Sequence, residues 1–314
     1  VSLVIEGFAG PGGWSEGLRL AASRATVVGF ELDWWACKTA MAAGNQRVQA
    51  DVSTLALDHL AGNVDGTVMS PPCPPWSMSG RRLGPLDQLN VLRRIDAFAN
   101  GLTPETVEWN DPRSFLCAEP MRWAVTLRPR WIALEQVPGA LPLWKHIGGH
   151  LENLGYSVAT GVLNCEEYGV PQTRKRAVLV ARRDGLAGLP PPTHRRYRKG
   201  VAQEEGDARL LPWVSMYDAS GWGLKDRPAW TVTAGGVATG GAEVFGNAKC
   251  RALLGGRRPT HAEAAALQGF RADYPFTGDT KGVISRQIGD AVPPPLAAAI
   301  LRPLVQCESL REAA

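Results

Sequence analysis

Gly66-Thr67-Val68-Met69-Ser70-Pro71-Pro72-Cys73-Pro74-Pro75-Trp76-Ser77 joins a short apolar run to a proline-bracketed turn that carries one cysteine. Proline locks φ and removes backbone donors, so this turn belongs to neither a helix nor a central strand. The run before it reads as a buried strand at 66–69, and in open α/β sheets ligands and reactive groups gather at the carboxyl ends of such strands. A thiol held there can act as a nucleophile. An isolated Pro-Cys-Pro is more often an inert structural thiol, so the rest of the chain has to decide.

Working outward, short apolar runs alternate with helical spacing through the first half. Strands are expected at 2–7, 26–31, 47–50, 66–69, 131–134, 157–163 and 176–181. Helices are expected at 13–22, 34–43, 114–127 and 141–154. The pattern is that of a parallel α/β sheet with helices on both faces. Residues 80–110 form an unusually long connection directly after the cysteine turn, read as a lid containing a helix near 86–98. Regularity stops at Arg182. Residues 183–258 are rich in Gly, Pro and Arg, and helical spacing returns at 260–268 and 293–305. The expected organisation is a catalytic domain of residues 1–182 and 259–314, with a small irregular domain inserted near the C-terminus at 183–258.

The chain has 314 residues, 45% hydrophobic and 20% charged, which suits one large core plus a smaller unit. No apolar run approaches the ~18 residues of a membrane span, and the sequence does not start with a signal-peptide layout. The six cysteines are scattered without a Cys-x-x-Cys pair. That pattern suggests reduced thiols in the cytoplasm, with no disulfide framework and no metal site. The net charge is +4, yet residues 182–258 hold thirteen Lys/Arg against seven Asp/Glu. The run Arg195-Arg196-Tyr197-Arg198-Lys199 lies inside that segment, and a localised basic stripe suits a polyanion.

Phe8-Ala9-Gly10-Pro11-Gly12-Gly13 lies between the first strand and the first helix, where glycines let a ligand approach the backbone. It lacks the Gly-x-Gly-x-x-Gly spacing and there is no phosphate-binding lysine, so neither a dinucleotide nor a nucleoside triphosphate site is supported. Glu31 ends the second strand and Asp51 the third, where acids accept hydrogen bonds from nucleosides.

Together with Ser70–Ser77, these segments resemble the ordered motifs of the cytosine-5 DNA methyltransferases. Later segments continue the resemblance: Asp111-Pro112-Arg113, Glu135-Gln136-Val137, Gln172-Thr173-Arg174-Lys175-Arg176, Leu267-Gln268-Gly269-Phe270, and Gln287 through Pro293. The resemblance covers the chain except roughly 80–110 and 183–258. It implies a Rossmann-like methyltransferase sheet and S-adenosylmethionine as cofactor, with S-adenosylhomocysteine as product. Phe8, Ala9, Gly10, Gly12, Gly13, Glu31, Leu32, Asp51, Val52, Ser70, Pro72, Asp290 and Val292 would line the cofactor pocket.

The resemblance also implies chemistry. Cys73 would add to C6 of a cytosine swung out of double-stranded DNA, because that atom is inaccessible in the stack. Glu135 would hold the base at N3 and its amine, Arg174 would steady its carbonyl, and Arg176 would support the site. Residues 183–258 would read the target, with Trp213, Trp222, Trp230 and Phe245 as stacking groups or, more often for such aromatics, as core. A monomer partnered in function by a cognate restriction endonuclease is expected. Two alternatives stay open: a tRNA cytosine-5 methyltransferase, and a silent relative that only grips DNA. Gln136, Pro74 and Asp290 depart from the family's usual Asn, Gln and Asn, and Asp290 is expected to alter cofactor affinity.

Overall fold

A computed structural model describes residues 2–73, 76, 83–233 and 252–311. Seven strands form one sheet: β1 (Leu3–Gly7), β2 (Thr26–Glu31), β3 (Gln46–Gln49), β4 (Gly66–Met69), β5 (Trp131–Gln136), β6 (Ser157–Asn164) and β7 (Lys175–Arg182), in the order β3-β2-β1-β4-β5-β7-β6. The first five are parallel, as the alternating pattern implies. One strand is reversed: β7 runs antiparallel to both β5 and β6, so β6 again points the same way as the first five. Periodicity reports a strand but not its direction. The absence of a crossover-length helix between 164 and 175 was the available signal, since parallel neighbours need one.

Successive residues of the central strands point to opposite faces, and two cores result. Ile5, Met69, Ile132, Leu134 and Leu179 pack beneath α3 (Gly84–Ala99), α4 (Glu119–Leu127) and α5 (Leu141–Asn153). Val4, Val68, Ala133, Val178 and Val180 face α1 (Gly13–Leu20) and the C-terminal helix Pro294–Arg311. The α1 and C-terminal helices approach closely because Gly17 has no side chain; a Cβ there would lie 2.4 Å from that of Ala297. Helix α2 (Trp34–Ala42) follows β2 and is capped by Asp33, whose Oδ1 accepts the N–H of Trp35 at 2.8 Å.

The reading of 80–110 as a lid is corrected over its described part. Helix α3 buries Asp87, Val91 and Ile95 completely, so it is a wall of the core. Its Asp87 accepts the N–H groups of Asn110 and Asp111 and the hydroxyl of Ser114, holding the turn that leads into α4.

A third core joins the irregular segment to the C-terminal elements. Met216, at the start of α6 (Met216–Ser220), packs with Ala229, Val232 and Leu254. They share that core with Leu267 of α7 (His261–Leu267) and Ile288 of α8 (Lys281–Asp290), the C-terminal helix being α9. Trp213 is 3% exposed and meets Tyr197 edge-on, which favours its reading as core. Trp230 is half-buried and stacked by Arg227 at 3.5 Å. Phe245 and the loop beyond Thr233 lie outside the described residues. No helix among the described residues is long and apolar enough to cross a membrane.

Two glycines separate packing from propensity. A Cβ on Gly66 would sit 2.0 Å from the Trp131 ring, so Gly66→Ala should destabilise the chain by about 1–3 kcal/mol. Gly149 is an exposed residue inside α5 with open space around it, so Gly149→Ala should stabilise by roughly 0.5–1 kcal/mol. Urea unfolding of both variants checks the pair.

Candidate active site

The carboxyl ends of the parallel strands open into one cavity of about 700 Å³, within the usual range for a small-molecule site. Its wall follows the sheet order: Asp51 and Val52 after β3, Glu31 and Leu32 at the end of β2, Phe8, Ala9 and Gly10 after β1, Ser70, Pro72 and Cys73 after β4, and Glu135 on β5. At a strand spacing of about 4.8 Å the wall spans roughly 19 Å. Asp290 and Val292 close it from α8 and the turn beyond.

Phe8 adopts a left-handed φ of 55°, rare for a bulky residue and characteristic of functional turns. It turns the chain so that the Gly10 N–H donates to Glu31 Oε2 at 2.8 Å, while Asp33 N–H donates to the other oxygen at 2.7 Å. Each carboxylate oxygen keeps a second lone pair for a ligand hydroxyl. Asp51 Oδ1 accepts from the Ser53 backbone and hydroxyl. Gly10 has open space where a side chain would stand, so a ligand can reach its backbone.

Two other glycines of this turn act differently. Gly13 meets the Val292 carbonyl, where a Cβ would be 2.2 Å away, which seats α1 against the C-terminal segment. Gly12, with φ of 109°, faces Tyr274 and does not line the cavity.

At the other end of the wall, Glu135 is 5% exposed and paired with Arg176, Oε1 to Nε at 2.6 Å. The strand register explains the pairing. Glu135 lies opposite Val178 across the antiparallel β5–β7 ladder, and Arg176, two residues away, shares that face. The Ser70 hydroxyl donates to Glu135 Oε2 at 2.8 Å and accepts from Trp14 Nε1 at 2.9 Å. Gln136 then donates its amide to the Pro71 carbonyl at 2.6 Å, tying the acid's strand to the cysteine turn. That turn closes with Trp76 N–H on the Cys73 carbonyl at 3.0 Å. The residues 74–75 and 77 lie outside the described part, including Pro74.

Cys73 is half-buried in the wall. Loss of hydration and the nearby Asp290 push its thiol up to about 11, against the pull of Arg176 and Arg174, with Glu135 adding to the upward push. The resting thiol is therefore protonated at neutral pH, and activation has to come with a substrate.

Arg174 is brought near but not into the cavity. It is 2% exposed, with its guanidinium donating to the Val232 and Gly289 carbonyls, both at 2.9 Å. It clasps the irregular segment to α8. The cavity instead receives Arg113 and Arg286, which were not singled out from sequence as site residues. Arg113 sits on the turn held by Asp87 and forms a bidentate pair with Asp111. Its motif was legible; its arrival beside Cys73 depends on α3. Arg286 stands one helical turn before Asp290, the spacing that could have announced it.

The chain is similar to known proteins over most of its length. The C-5 cytosine-specific DNA methylase model matches residues 3–94, 105–208 and 214–306. Type II methyltransferase M1.HphI of Haemophilus parahaemolyticus is 29% identical, the match covering 94% of this chain and 84% of that protein. Type II methyltransferase M.NgoMIV of Neisseria gonorrhoeae is 26% identical, with 95% of each covered. Among solved structures, a mutant form of Spodoptera frugiperda DNMT2 superposes with a TM-score of 0.67 at 16% identity, covering 97% of this chain and 99% of that one. Entamoeba histolytica methyltransferase EhMeth does so at 0.64 and 17%, with 98% of each covered. These structures share the fold.

Alkylation of Cys73, followed by mass spectrometry of its peptide, should accelerate about tenfold per pH unit between roughly pH 7 and 10. Asp290→Asn removes a negative charge beside the sulfur, so its curve should shift to lower pH. A wild-type rate already level below about pH 8, or an unshifted Asp290→Asn curve, would contradict these electrostatics.

Proposed function

The chain belongs to the C-5 cytosine-specific DNA methylase family, and on that premise we propose that it methylates C5 of a flipped-out cytosine in double-stranded DNA through a covalent bond from Cys73 to C6. The observation that carries this reading is the convergence of Cys73 with the Ser70–Glu135–Arg176 group on one cavity wall. S-adenosylmethionine, when bound, supplies an electrophilic methyl group. The cavity suits it: Glu31 and Asp51 can accept from a nucleoside, Gly10 leaves its backbone open, and Phe8 and Leu32 offer apolar surface.

The residues of the chain divide the remaining work. Glu135 takes the base at N3 and its exocyclic amine, sharing a proton as charge develops on the ring. Neutralising that carboxylate removes one of the charges that hold the thiol protonated, while Arg176 and Arg174 continue to favour thiolate. Cys73 then gives up its thiol proton to solvent and adds its electron pair to C6, and the displaced ring electrons make C5 nucleophilic. After methyl transfer the C5 proton leaves to a base, the ring double bond re-forms and the C6–S bond breaks. Trp14, Ser70 and Gln136 keep acid and thiol in register throughout.

Arg174 acts in this scheme as a positioning residue, linking the base site to residue 232 of the segment we assign to target recognition, 183–258. Exposed Arg196, Arg198 and Lys199 in that segment supply charge for a phosphate backbone. The names of the relatives support a Type II modification role; the cytoplasm as its location, a monomeric state and a cognate restriction endonuclease beside it are part of the proposal.

Incubation with S-adenosylmethionine and duplex DNA carrying 5-fluorocytosine should trap a denaturation-resistant adduct on Cys73, absent in Cys73→Ala. On ordinary DNA, Glu135→Gln should lose about 10²–10⁴-fold in rate. Label transferred to tRNA but not to DNA would replace the substrate. An adduct that survives Cys73→Ala would remove the mechanism.

A further inference from the structure

Helices α3 and α5 meet at a cluster that has no part in the site above. Asp96 lies on α3, and His146 and His150 lie four residues apart on one face of α5. Both imidazoles direct Nε2 at the same oxygen, Asp96 Oδ1, at 2.6 and 2.7 Å. The rings stand edge-on, centroids 5.0 Å apart, and the three candidate donor atoms lie within 4.8 Å of one another. From this convergence we infer that Asp96, His146 and His150 form a binding site for a divalent transition metal of the zinc type.

The donor chemistry suits that ion. Two neutral imidazoles and a carboxylate are a common set for Zn²⁺, with bonds of about 2.0–2.2 Å and donors therefore roughly 3.3 Å apart. Reaching that spacing asks for side-chain movements of less than an ångström or so. The groups are free to make them, being 34%, 23% and 46% exposed for His146, His150 and Asp96. Neither Nδ1 has a protein partner among the described residues. Each ring can therefore place its proton on Nδ1 and offer Nε2 as a lone pair. Solvent would complete the coordination shell.

The consequence is a cross-link. Helix α3 carries Asp87, which holds the turn bearing Arg113, and Arg113 lines the cavity beside Cys73. An ion bridging α3 to α5 would fasten that wall to the core and stabilise the folded chain in proportion to its binding. Spacing alone announces only His-x-x-x-His at 146–150; the third ligand comes from fifty residues earlier, so no local motif contains the site.

Calorimetric titration of ZnCl₂ into the purified chain tests this. One equivalent should bind, and the thermal transition should rise with added Zn²⁺. The double variant H146A/H150A and the near-isosteric Asp96→Asn should each lose affinity, the double variant on the order of 100-fold or more. Co²⁺ in place of zinc distinguishes the donors, because thiolate ligation brings an intense near-ultraviolet charge-transfer band that imidazole and carboxylate do not. Absence of binding in the wild-type chain overturns the site. So does unchanged binding in folded variants, or a thiolate band, which would assign the ion to cysteine.

Discussion

An acid standing next to a thiol raises that thiol and must itself be compensated, and the Glu135–Arg176 pair meets this constraint. The pair is nearly removed from water, where desolvation of two charges costs several kcal/mol and mutual attraction alone often fails to offset it. The Ser70 hydroxyl occupies the second carboxylate oxygen, and Trp14 orients that hydroxyl. Three strands and one helix thus meet at a single carboxylate. Removing Arg176 would leave a buried charge that no other residue of β5 or β7 could neutralise. The antiparallel course of β7 makes the pairing possible, because it returns 175–176 to the carboxyl end of β5.

A second buried pair supports the cofactor end. Glu6 on β1 and Arg47 on β3 are both withdrawn from solvent and 3.2 Å apart, with Ser15 hydrogen-bonded to each. Burial raises the Glu6 carboxyl, and Arg47 and Ser15 pull it back. The Tyr274 hydroxyl donates to the Pro11 carbonyl above this pair, against Gly12. The turn carrying Phe8 and Gly10 is therefore underpinned by charge at a place where it must also stay open to a ligand. In the same way Arg122 holds the Val52 and Leu55 carbonyls while paired with Glu119, fixing the end of β3.

Much of the site was legible because each of its parts sits at a strand end, and strand ends are visible as apolar runs followed by turn residues. The proline-bracketed cysteine, the glycine turn and the acids at 31, 51 and 135 all read this way, and all line one cavity. What failed to read were roles that depend on direction or on partners distant in sequence. Arg174 and Arg176 differ by two residues at the start of β7, yet Arg176 pairs with the acid while Arg174, just before the strand, clasps Val232 and Gly289. Gly12 and Gly10 differ by two residues in one turn, yet only Gly10 faces the cavity. The expected lid became helix α3 because its apolar stripe at Val91 and Ile95 finds a partner in α4 and α5, and a stripe does not name its partner.

By itself the sequence determined where strands end and which reactive types stand there, because hydrophobic period and turn chemistry act over a few residues. Tertiary structure decided how those ends converge: the pairing of Arg176 with Glu135, the withdrawal of Arg174, the arrival of Arg113 and Arg286, and the meeting of Asp96 with two histidines. These depend on strand direction, register and helix docking, which are set by burial summed over the whole chain and leave no local trace.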